Sequence, residues 1–219
     1  MRGTMRTGIV VVLGVVLLTA CGPRGGGAEM IQEAPPADWA DRILEARADR
    51  DEDFRVAADS PLPADTLAVF EGLEYWAPDP AYRFVGTIHE YPPSEPIEMI
   101  TTTGRVRQAM RHGWLSFRID GTRLNLQIYR LLDTPETADA LKALFLPFTD
   151  ATTGKETYPA GRYIDLQRDD QGRIVLDFNR AYNPLCAYGM PERYACPVTP
   201  AENRLSVRIE AGELGFLEH

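Results

Sequence analysis

The spacing of apolar residues changes at about residue 66, from a helical repeat to a repeat of two. Before that point, WADRILEARADRDEDF carries a narrow apolar stripe on an otherwise charged segment. The stripe consists of Trp39, Ile43, Ala46 or Arg47, and Arg50. Asp38 precedes it and is placed both to cap a helix and to pair with Arg42, four residues further on. The pattern predicts one N-terminal amphipathic helix that lies along the surface of the core.

After residue 66, short runs in which apolar and polar residues alternate predict seven strands, separated by Gly, Pro or Asp turns. The runs are residues 82–90, 97–103, 114–119, 123–131, 162–167, 173–179 and 204–210. Asp120-Gly121, between the third and fourth runs, favours a type I′ turn. These two runs are therefore expected to form an antiparallel hairpin.

A second, short internal helix is predicted between the fourth and fifth runs. It begins at Thr134, with Pro135 at its first helical position, and it continues through Leu141, Leu144 and Phe145. Seven short strands with one long and one short helix predict an α+β fold, a mainly antiparallel β barrel or sandwich.

The N-terminus has the features of an export signal. Residues 1–8 carry two arginines and no acid, and residues 9–18 are apolar apart from Gly14. A helix of this apolar run covers about 15 Å and is too short to cross a hydrocarbon core about 30 Å thick. The sequence LTAC that follows, ending at Cys21, resembles a lipobox.

We therefore interpret residues 1–20 as a lipoprotein signal peptide and expect a diacylated, palmitate-bearing Cys21 that anchors the protein in the lipid bilayer of the cell envelope. Gly22 stands where an Asp would resemble an inner-membrane retention signal, so we expect the outer membrane, with the protein facing the periplasm. Residues 21–37 are rich in Gly, Pro and Ala and are expected to be a flexible tether. An ordinary signal peptide or a short anchor is the alternative.

Composition, charge and missing motifs limit the classes of partner and reaction that we expect. The 219 residues suit one globular domain, which we place at residues 38–219, and 23 Lys and Arg against 32 Asp and Glu give a net charge of −9. Such a surface repels phosphate backbones, so nucleic acid is not expected as a partner. The chain lacks GxSxG, GxxxxGK[ST], HExxH and CxxC, and has no GxGxxG after a strand. We predict no metal site, and the sequence indicates no particular cofactor.

The C-terminal third is unusually dense in polar and aromatic residues. A regular hairpin with Arg168 opposite Arg173 is the expected geometry. In that register Arg162 faces Asn179 and can pair with Asp177, whereas a slip of one residue would undo the pairing. Such a group of side chains can recognise a small polar ligand, or it can be a fully paired network that only holds the following loop on the sheet.

Cys186 and Cys196 remain as an even pair once Cys21 is lipidated. In an oxidising compartment they most simply form a disulfide, which stabilises a loop of this length by about 2.5 to 3 kcal/mol. Two buried thiols, or a reactive-cysteine or metal site, are the alternatives.

Several ordered motifs together resemble one family. They are SPL with FEGLEYWAPDPAYR near the start, then TG-x-x-TY-x-x-GRY, LDFNRAYNP-x-CAY and CP-x-x-P-x-ENRL. From about residue 39 to 213 the chain is similar to the bacterial family called domain of unknown function 1684. The resemblance implies a shared architecture and a shared C-terminal polar cluster, without a particular reaction. The motif residues are Tyr158, Gly161, Arg162, Tyr163, Asp177, Asn179, Tyr182, Asn183, Cys186, Tyr188, Cys196, Pro197, Glu202, Asn203 and Arg204.

Three functions follow as hypotheses. The first is a lipid-anchored binding or accessory module that holds a small polar ligand in the C-terminal cluster. The second is an enzyme in which Asp177 or Glu202 is the general acid or base, Arg162 orients an anionic group and Cys186 is a nucleophile. The third is a purely structural envelope protein. The candidate site residues are Arg162, Asp177, Asn179, Tyr182, Asn183, Cys186, Glu202, Asn203 and Arg204.

Overall fold

The structure, a computed structural model, describes residues 29–133 and 144–216. These residues contain two α-helices, α1 (Trp39–Val56) and α2 (Ala64–Leu67), and eight strands. The strands are β1 (Arg83–Gly86), β2 (His89–Ile100), β3 (Val106–Ile119), β4 (Thr122–Leu131), β5 (Leu144–Phe148), β6 (Arg162–Ile164), β7 (Gln167–Arg168) and β8 (Ile174–Asp177). In the described part of the chain, no helix is long and apolar enough to span a membrane.

The strands form two antiparallel sheets that face each other across one core. The larger sheet has the order β2-β3-β4-β5-β6, and the smaller has the order β1-β8-β7. Phe84 of β1 and Phe117 of β3 meet between them, with ring centroids 5.0 Å apart. The α+β fold is confirmed as a sandwich-like arrangement. The predicted alternative, a barrel, is not formed, because within residues 29–133 and 144–216 neither sheet closes on itself.

The hairpin of β3 and β4 follows the local sequence pattern closely. Asp120 and Gly121 both have positive φ, 48° and 76°, as a type I′ turn requires. Phe117 lies opposite Leu124, and Leu115 lies opposite Leu126. All four of these apolar side chains are buried, so the predicted alternation and hairpin are confirmed.

Helix α1 begins at Trp39, and the predicted ion pair between Asp38 and Arg42 is present at 2.6 Å. The Asp38 side chain does not cap the helix, since it is engaged by Arg42 instead. The fold begins earlier than expected: Met30 is buried in the core, and Ile31 pairs with β1. The last residues of the predicted tether are therefore packed against the domain.

The predicted short internal helix lies mostly outside the described residues, and only its predicted end can be compared. Leu144 and Phe145, which the sequence pattern places in that helix, belong to β5. β5 lies between β4 and β6 with Leu146 and Phe148 fully buried, so burial in the sheet outweighs the helical spacing.

The segment 204–210 alternates like a strand but forms none. The Asp150 carboxylate accepts a hydrogen bond from the Ile209 amide at 2.7 Å, and Arg162 donates to the Ile209 carbonyl at 3.0 Å. At Ile209, side chains thus satisfy backbone groups that a neighbouring strand would otherwise pair. Nearer the start of the segment, the Leu205 amide donates to the Thr149 carbonyl and the Val207 carbonyl accepts from the Ala151 amide.

Candidate functional site

The candidate residues of the C-terminal third do not lie on one hairpin. β7 and β8 pair with Arg168 opposite Ile174, one residue away from the predicted register. The chain crosses between sheets before β7, and β6 pairs with β5, with Arg162 opposite Phe148. Arg162 and Asp177 therefore lie in different sheets, and the predicted pairing between them is not formed.

Arg162 is a buried structural arginine, only 1% exposed. Its Nη1 donates to the carbonyls of Ala211 and Glu213, and its Nη2 donates to that of Ile209. Asp150 lies 3.6 Å from Nη2. Burial lowers the pKa of Arg162 to about 10, and the charge of Asp150 opposes this shift. These contacts hold the strandless C-terminal segment against the larger sheet.

Asp177 and Asn179 form a buried pair at the end of β8. Asp177 Oδ1 accepts from the amide and the side chain of Asn179, at 3.0 and 2.9 Å, and its Oδ2 accepts from the indole of Trp39 at 2.7 Å. Asn179 Oδ1 accepts from the Asp79 amide, and its Nδ2 donates to the Asp79 carbonyl, both at 2.8 Å. These bonds fasten α1 and the chain before β1 to the smaller sheet.

Asn183 faces a buried carboxylate that the sequence analysis does not single out, Glu213. The amide and Nδ2 of Asn183 donate to Glu213 at 3.2 and 2.9 Å, and the Tyr188 hydroxyl also donates to it. Arg50 Nε lies 3.7 Å from the same carboxylate. Burial raises the pKa of Glu213, and Arg50, Tyr188 and Asn183 only partly offset that effect.

Asn203 and Arg204 are neighbours with opposite environments. Asn203 is fully buried, with Oδ1 accepting from the Gln127 amide at 2.7 Å and Nδ2 donating to the carbonyls of Gln127 and Pro147 at 2.9 and 2.6 Å. It therefore acts as a bridge between β4 and β5. Arg204 is exposed.

Glu202 lies against the larger sheet, where its Oε1 accepts from Arg111 at 2.8 Å and from the Tyr129 hydroxyl at 3.0 Å. Burial acts to raise its pKa, but hydrogen bonds from its own amide, Tyr129 and Arg111 outweigh burial and lower the pKa. A paired carboxylate of lowered pKa is a poor proton acceptor near neutral pH.

Cys186 and Cys196 lie side by side as free thiols. The Cys186 amide donates to Cys196 Sγ at 3.3 Å. The disulfide stays a prediction. The described residues contain no group of three or more His, Cys, Asp or Glu that could hold a metal ion.

A cleft of about 220 Å³, here called the α1 cleft, lies between α1 and the chain that follows β8. It brings three guanidinium groups and one carboxylate to a single open surface. Its walls are formed by Ile43, Ala46, Arg47, Arg50, Tyr75, Asp165, Gln167, Asn179, Arg180, Ala181 and Tyr182.

Arg47 is held rigidly on the wall of this cleft. Its Nη1 donates to the Trp76 carbonyl at 2.9 Å, and its Nη2 donates to the Asn179 carbonyl at 3.1 Å. Its Cζ lies 4.4 Å from the centre of the Tyr75 ring. No carboxylate within the described ranges forms an ion pair with it. Burial lowers the pKa of Arg47, and the charges of Tyr75, Asp177 and Glu213 oppose the shift. Its buried Nε has no hydrogen-bond partner in the described part of the chain.

Arg50 and Arg180 flank Arg47 in the cleft. Arg50 stacks on Tyr182, 5.0 Å from the ring centre, and donates to the Tyr188 hydroxyl at 3.0 Å. The Arg180 side chain is half-buried, with its pKa lowered by burial, and makes no hydrogen bond or ion pair to any residue that the structure describes. The Tyr182 hydroxyl donates to Asp165 at 3.1 Å.

The family model for a protein of unknown function, DUF1684, matches residues 68–214. The chain belongs to the DUF1684 family. It is similar to an uncharacterised protein of Haloarcula marismortui solved by solution NMR, with 35% sequence identity and a TM-score of 0.61, over 83% of this chain and 97% of that chain. No curated protein matches the chain.

In this DUF1684 member, Asn179 and Tyr182 are the candidate residues that line the α1 cleft. Sequence analysis places Arg47 and Arg50 on the apolar stripe of α1 without naming them as site residues. A guanidinium on the apolar stripe of a helix is the signal that points to them, because a charge on the face that packs against the core needs a partner. Tyr75 carries no comparable signal.

Proposed function

We propose that this protein is a lipid-anchored envelope protein that binds a small acidic ligand in the α1 cleft. The observation that carries the proposal is the state of Arg47. Its guanidinium is fixed by two neutral carbonyls and the Tyr75 ring, faces the cleft and has no carboxylate partner among the described residues. A carboxylate or phosphate bound there would supply the missing charge and could accept two parallel hydrogen bonds.

The charge balance of the cleft also favours an acidic ligand. Arg47, Arg50 and Arg180 line it together with one carboxylate, that of Asp165. The chain as a whole has a net charge of −9, so this concentration of guanidinium groups is a local exception. An anion that approaches the protein is therefore attracted mainly at this surface.

The size of the cleft limits the ligand. A volume of about 220 Å³ lies below the range of about 300 to 1,000 Å³ that is typical of drug-sized ligands. A dicarboxylate of four or five carbons or a small phosphate monoester would fill it. Asn179 and Tyr182 both lie on the wall. The Asn179 side chain is buried and fully bonded to Asp79 and Asp177, so Tyr182 is the one of the two whose hydroxyl could orient such a molecule, as an acceptor, since it donates to Asp165.

The acid-base hypothesis gains no support from this geometry. Neither Asp177 nor Glu202 lines the α1 cleft, and both accept hydrogen bonds from neighbouring side chains. We therefore propose binding rather than proton transfer as the role of the cleft.

Calorimetric titration with succinate and with inorganic phosphate tests the binding proposal, and neutral succinamide serves as the control ligand. Arg47→Gln and Arg180→Gln should each weaken succinate binding about tenfold, which corresponds to about 1.4 kcal/mol. Arg204→Gln is the matched control, since it removes the same charge from an exposed position. Equal binding of succinamide, or an equal loss in Arg204→Gln, would contradict the proposal.

The anchor is tested separately by Cys21→Ser in the producing cells. We expect this variant in the soluble fraction, because the lipid-bearing sulfur is lost. Cys186→Ser should remain in the membrane fraction and controls for a general effect of removing a thiol. Retention of Cys21→Ser in washed membranes would argue against the anchor.

A further inference from the structure

Cys186 and Cys196 are brought together by well-defined backbone contacts. Cys186 lies in the short 3-10 turn Leu185–Tyr188. Cys196 is fastened to the chain after β2, since its carbonyl accepts from the Thr102 amide at 2.8 Å and its own amide donates to Thr102 Oγ1 at 3.3 Å. The Cys186 amide points at Cys196 Sγ, 3.3 Å away. The two sulfurs are therefore neighbours in a fixed local frame.

The surroundings of the pair favour its ionised form. The Tyr158 hydroxyl lies 3.6 Å from Cys186 Sγ, within hydrogen-bond range of sulfur. A hydrogen bond from the Cys196 thiol lowers the pKa of the Cys186 thiol to about 6, with help from Tyr158, although burial opposes the shift. The same bond raises the pKa of Cys196. The singly ionised pair therefore carries its charge mainly on Cys186. Cys196 becomes the thiolate when the remaining proton passes from Cys196 to Cys186, and the Cys186 amide, which points at Cys196 Sγ, then stabilises that thiolate.

A second cleft, of about 510 Å³, lies beside Cys196, which is itself buried, with 8% of its surface exposed. Cys196 borders this cleft, together with Tyr163, Leu185 and Tyr194, and Leu185 is 42% exposed at its rim. Cys186 is only 3% exposed and does not border the cleft. A small molecule that enters meets Cys196 first and has Cys186 behind it.

We propose that Cys196 and Cys186 are a redox-active dithiol that reduces a small disulfide admitted through this second cleft. The two parts are an attacking thiol beside the cleft and a resolving thiol behind it. The proposal does not depend on acid binding in the α1 cleft, although Arg50, Asp165 and Tyr182 border both clefts.

The reaction consists of two thiol–disulfide exchanges. The remaining proton of the pair first passes from Cys196 to Cys186. Cys196 Sγ, now the thiolate, attacks one sulfur of the substrate, forms a mixed disulfide and expels one thiolate, which takes the proton from Cys186. Cys186 Sγ then attacks Cys196 Sγ, forms the Cys186–Cys196 disulfide and expels the second thiolate, which is protonated by water. The substrate disulfide is reduced to two thiols, and the protein dithiol is oxidised to one disulfide.

The test uses the reduced full chain carrying Cys21→Ser, so that Cys186 and Cys196 are its two thiols. With oxidised glutathione as the probe, we expect the folded protein to lose two hydrogen atoms in its intact mass and to release two glutathione molecules per chain. In the same background, Cys186→Ser should stop at a glutathione adduct on residue 196. Cys196→Ser should form its adduct about tenfold more slowly, because the remaining sulfur is buried.

Peptide mapping of the unsubstituted background, quenched at early times, makes the result independent of whether the serine variants fold. We expect the first adduct on Cys196. Two unreacted thiols in the folded protein, under conditions in which the chain unfolded in guanidinium reacts, would overturn the proposal. So would an early adduct on Cys186, or equal rates in the two serine variants.

Discussion

Arg162, which is buried, and Arg47, which is half-buried, have similar partners and different consequences. Each guanidinium donates to backbone carbonyls and lies against an aromatic ring. Arg162 also has Asp150 beside it and is closed off from solvent, whereas Arg47 borders an open cleft without a carboxylate partner in the described residues. The comparison indicates that charge compensation and access, rather than burial alone, separate a structural arginine from a binding one.

The largest expected effect is that of Arg162→Met on stability. The substitution leaves three carbonyls and Asp150 without their buried donor, so we expect the free energy of unfolding to fall by about 3 to 5 kcal/mol. Urea denaturation measures this loss, and Arg204→Met, at an exposed position, should change stability by no more than about 0.5 kcal/mol. A loss below about 1 kcal/mol for Arg162→Met would mean that this arginine is not structural.

Glu213 connects the two arginine environments and should make stability depend on pH. Its carbonyl accepts from Arg162, and its carboxylate faces Arg50 at the back of the α1 cleft. Because burial raises the pKa of Glu213 in the folded state, its favourable contribution is complete below 4.5, its ordinary value, and is lost as the pH rises through the raised pKa.

Glu213→Gln should remove this dependence. The free energy of unfolding of the variant, relative to that of the unsubstituted protein, should rise as the pH increases above 4.5, with a slope of at most about 1.4 kcal/mol per pH unit for one proton, and its relative melting temperature should rise with it. Melting curves of both proteins between pH 4.5 and 8 give the difference directly. Parallel curves would show that Glu213 is ionised as easily in the folded chain as in the unfolded one.

Arg47→Met should cost much less than Arg162→Met. Two hydrogen bonds to carbonyls are lost, but the site is partly open and the methionine side chain can keep the contact with Tyr75, so we expect a loss of about 1 kcal/mol. The same urea titration measures it. Equal losses for Arg47→Met and Arg162→Met would remove the distinction between the two environments.

Structural features that depend on neighbouring residues could be predicted from the sequence, whereas features that depend on contacts between distant residues could not. The hairpin at Asp120-Gly121 and the apolar stripe of α1 are local, and both follow from turn chemistry and spacing. The register of Arg162 is not local. β6 has three residues, too few for its own pattern to select a partner, and its place beside β5 is fixed by packing against residues far away in sequence.

The residues of the α1 cleft fall into the same two groups, those that a local motif indicates and those that the fold brings from a distant part of the chain. The motif around Asn179 and Tyr182 selects part of the α1 cleft, because those residues follow β8 directly. Arg47 lies more than a hundred residues earlier, and only the docking of α1 through Trp39 and Asp177 places it there. Residues 204–210 alternate like a strand, yet Asp150 and Arg162 bind their backbone. No local pattern contains that information.

Arg180 completes the series with the smallest expected change in stability. Its side chain has no hydrogen bond or ion pair to the described residues, and burial lowers its pKa, so the fold gains little from its charge. Arg180→Gln should therefore change the free energy of unfolding by no more than about 0.5 kcal/mol in urea titrations, although the same variant is expected to lose most of its affinity for succinate. If Arg180→Gln keeps the stability of the protein but loses affinity for succinate, Arg180 serves ligand binding, as proposed for Arg47, and not the fold. A loss of stability as large as that of Arg47→Met would instead mean that Arg180 also serves the fold.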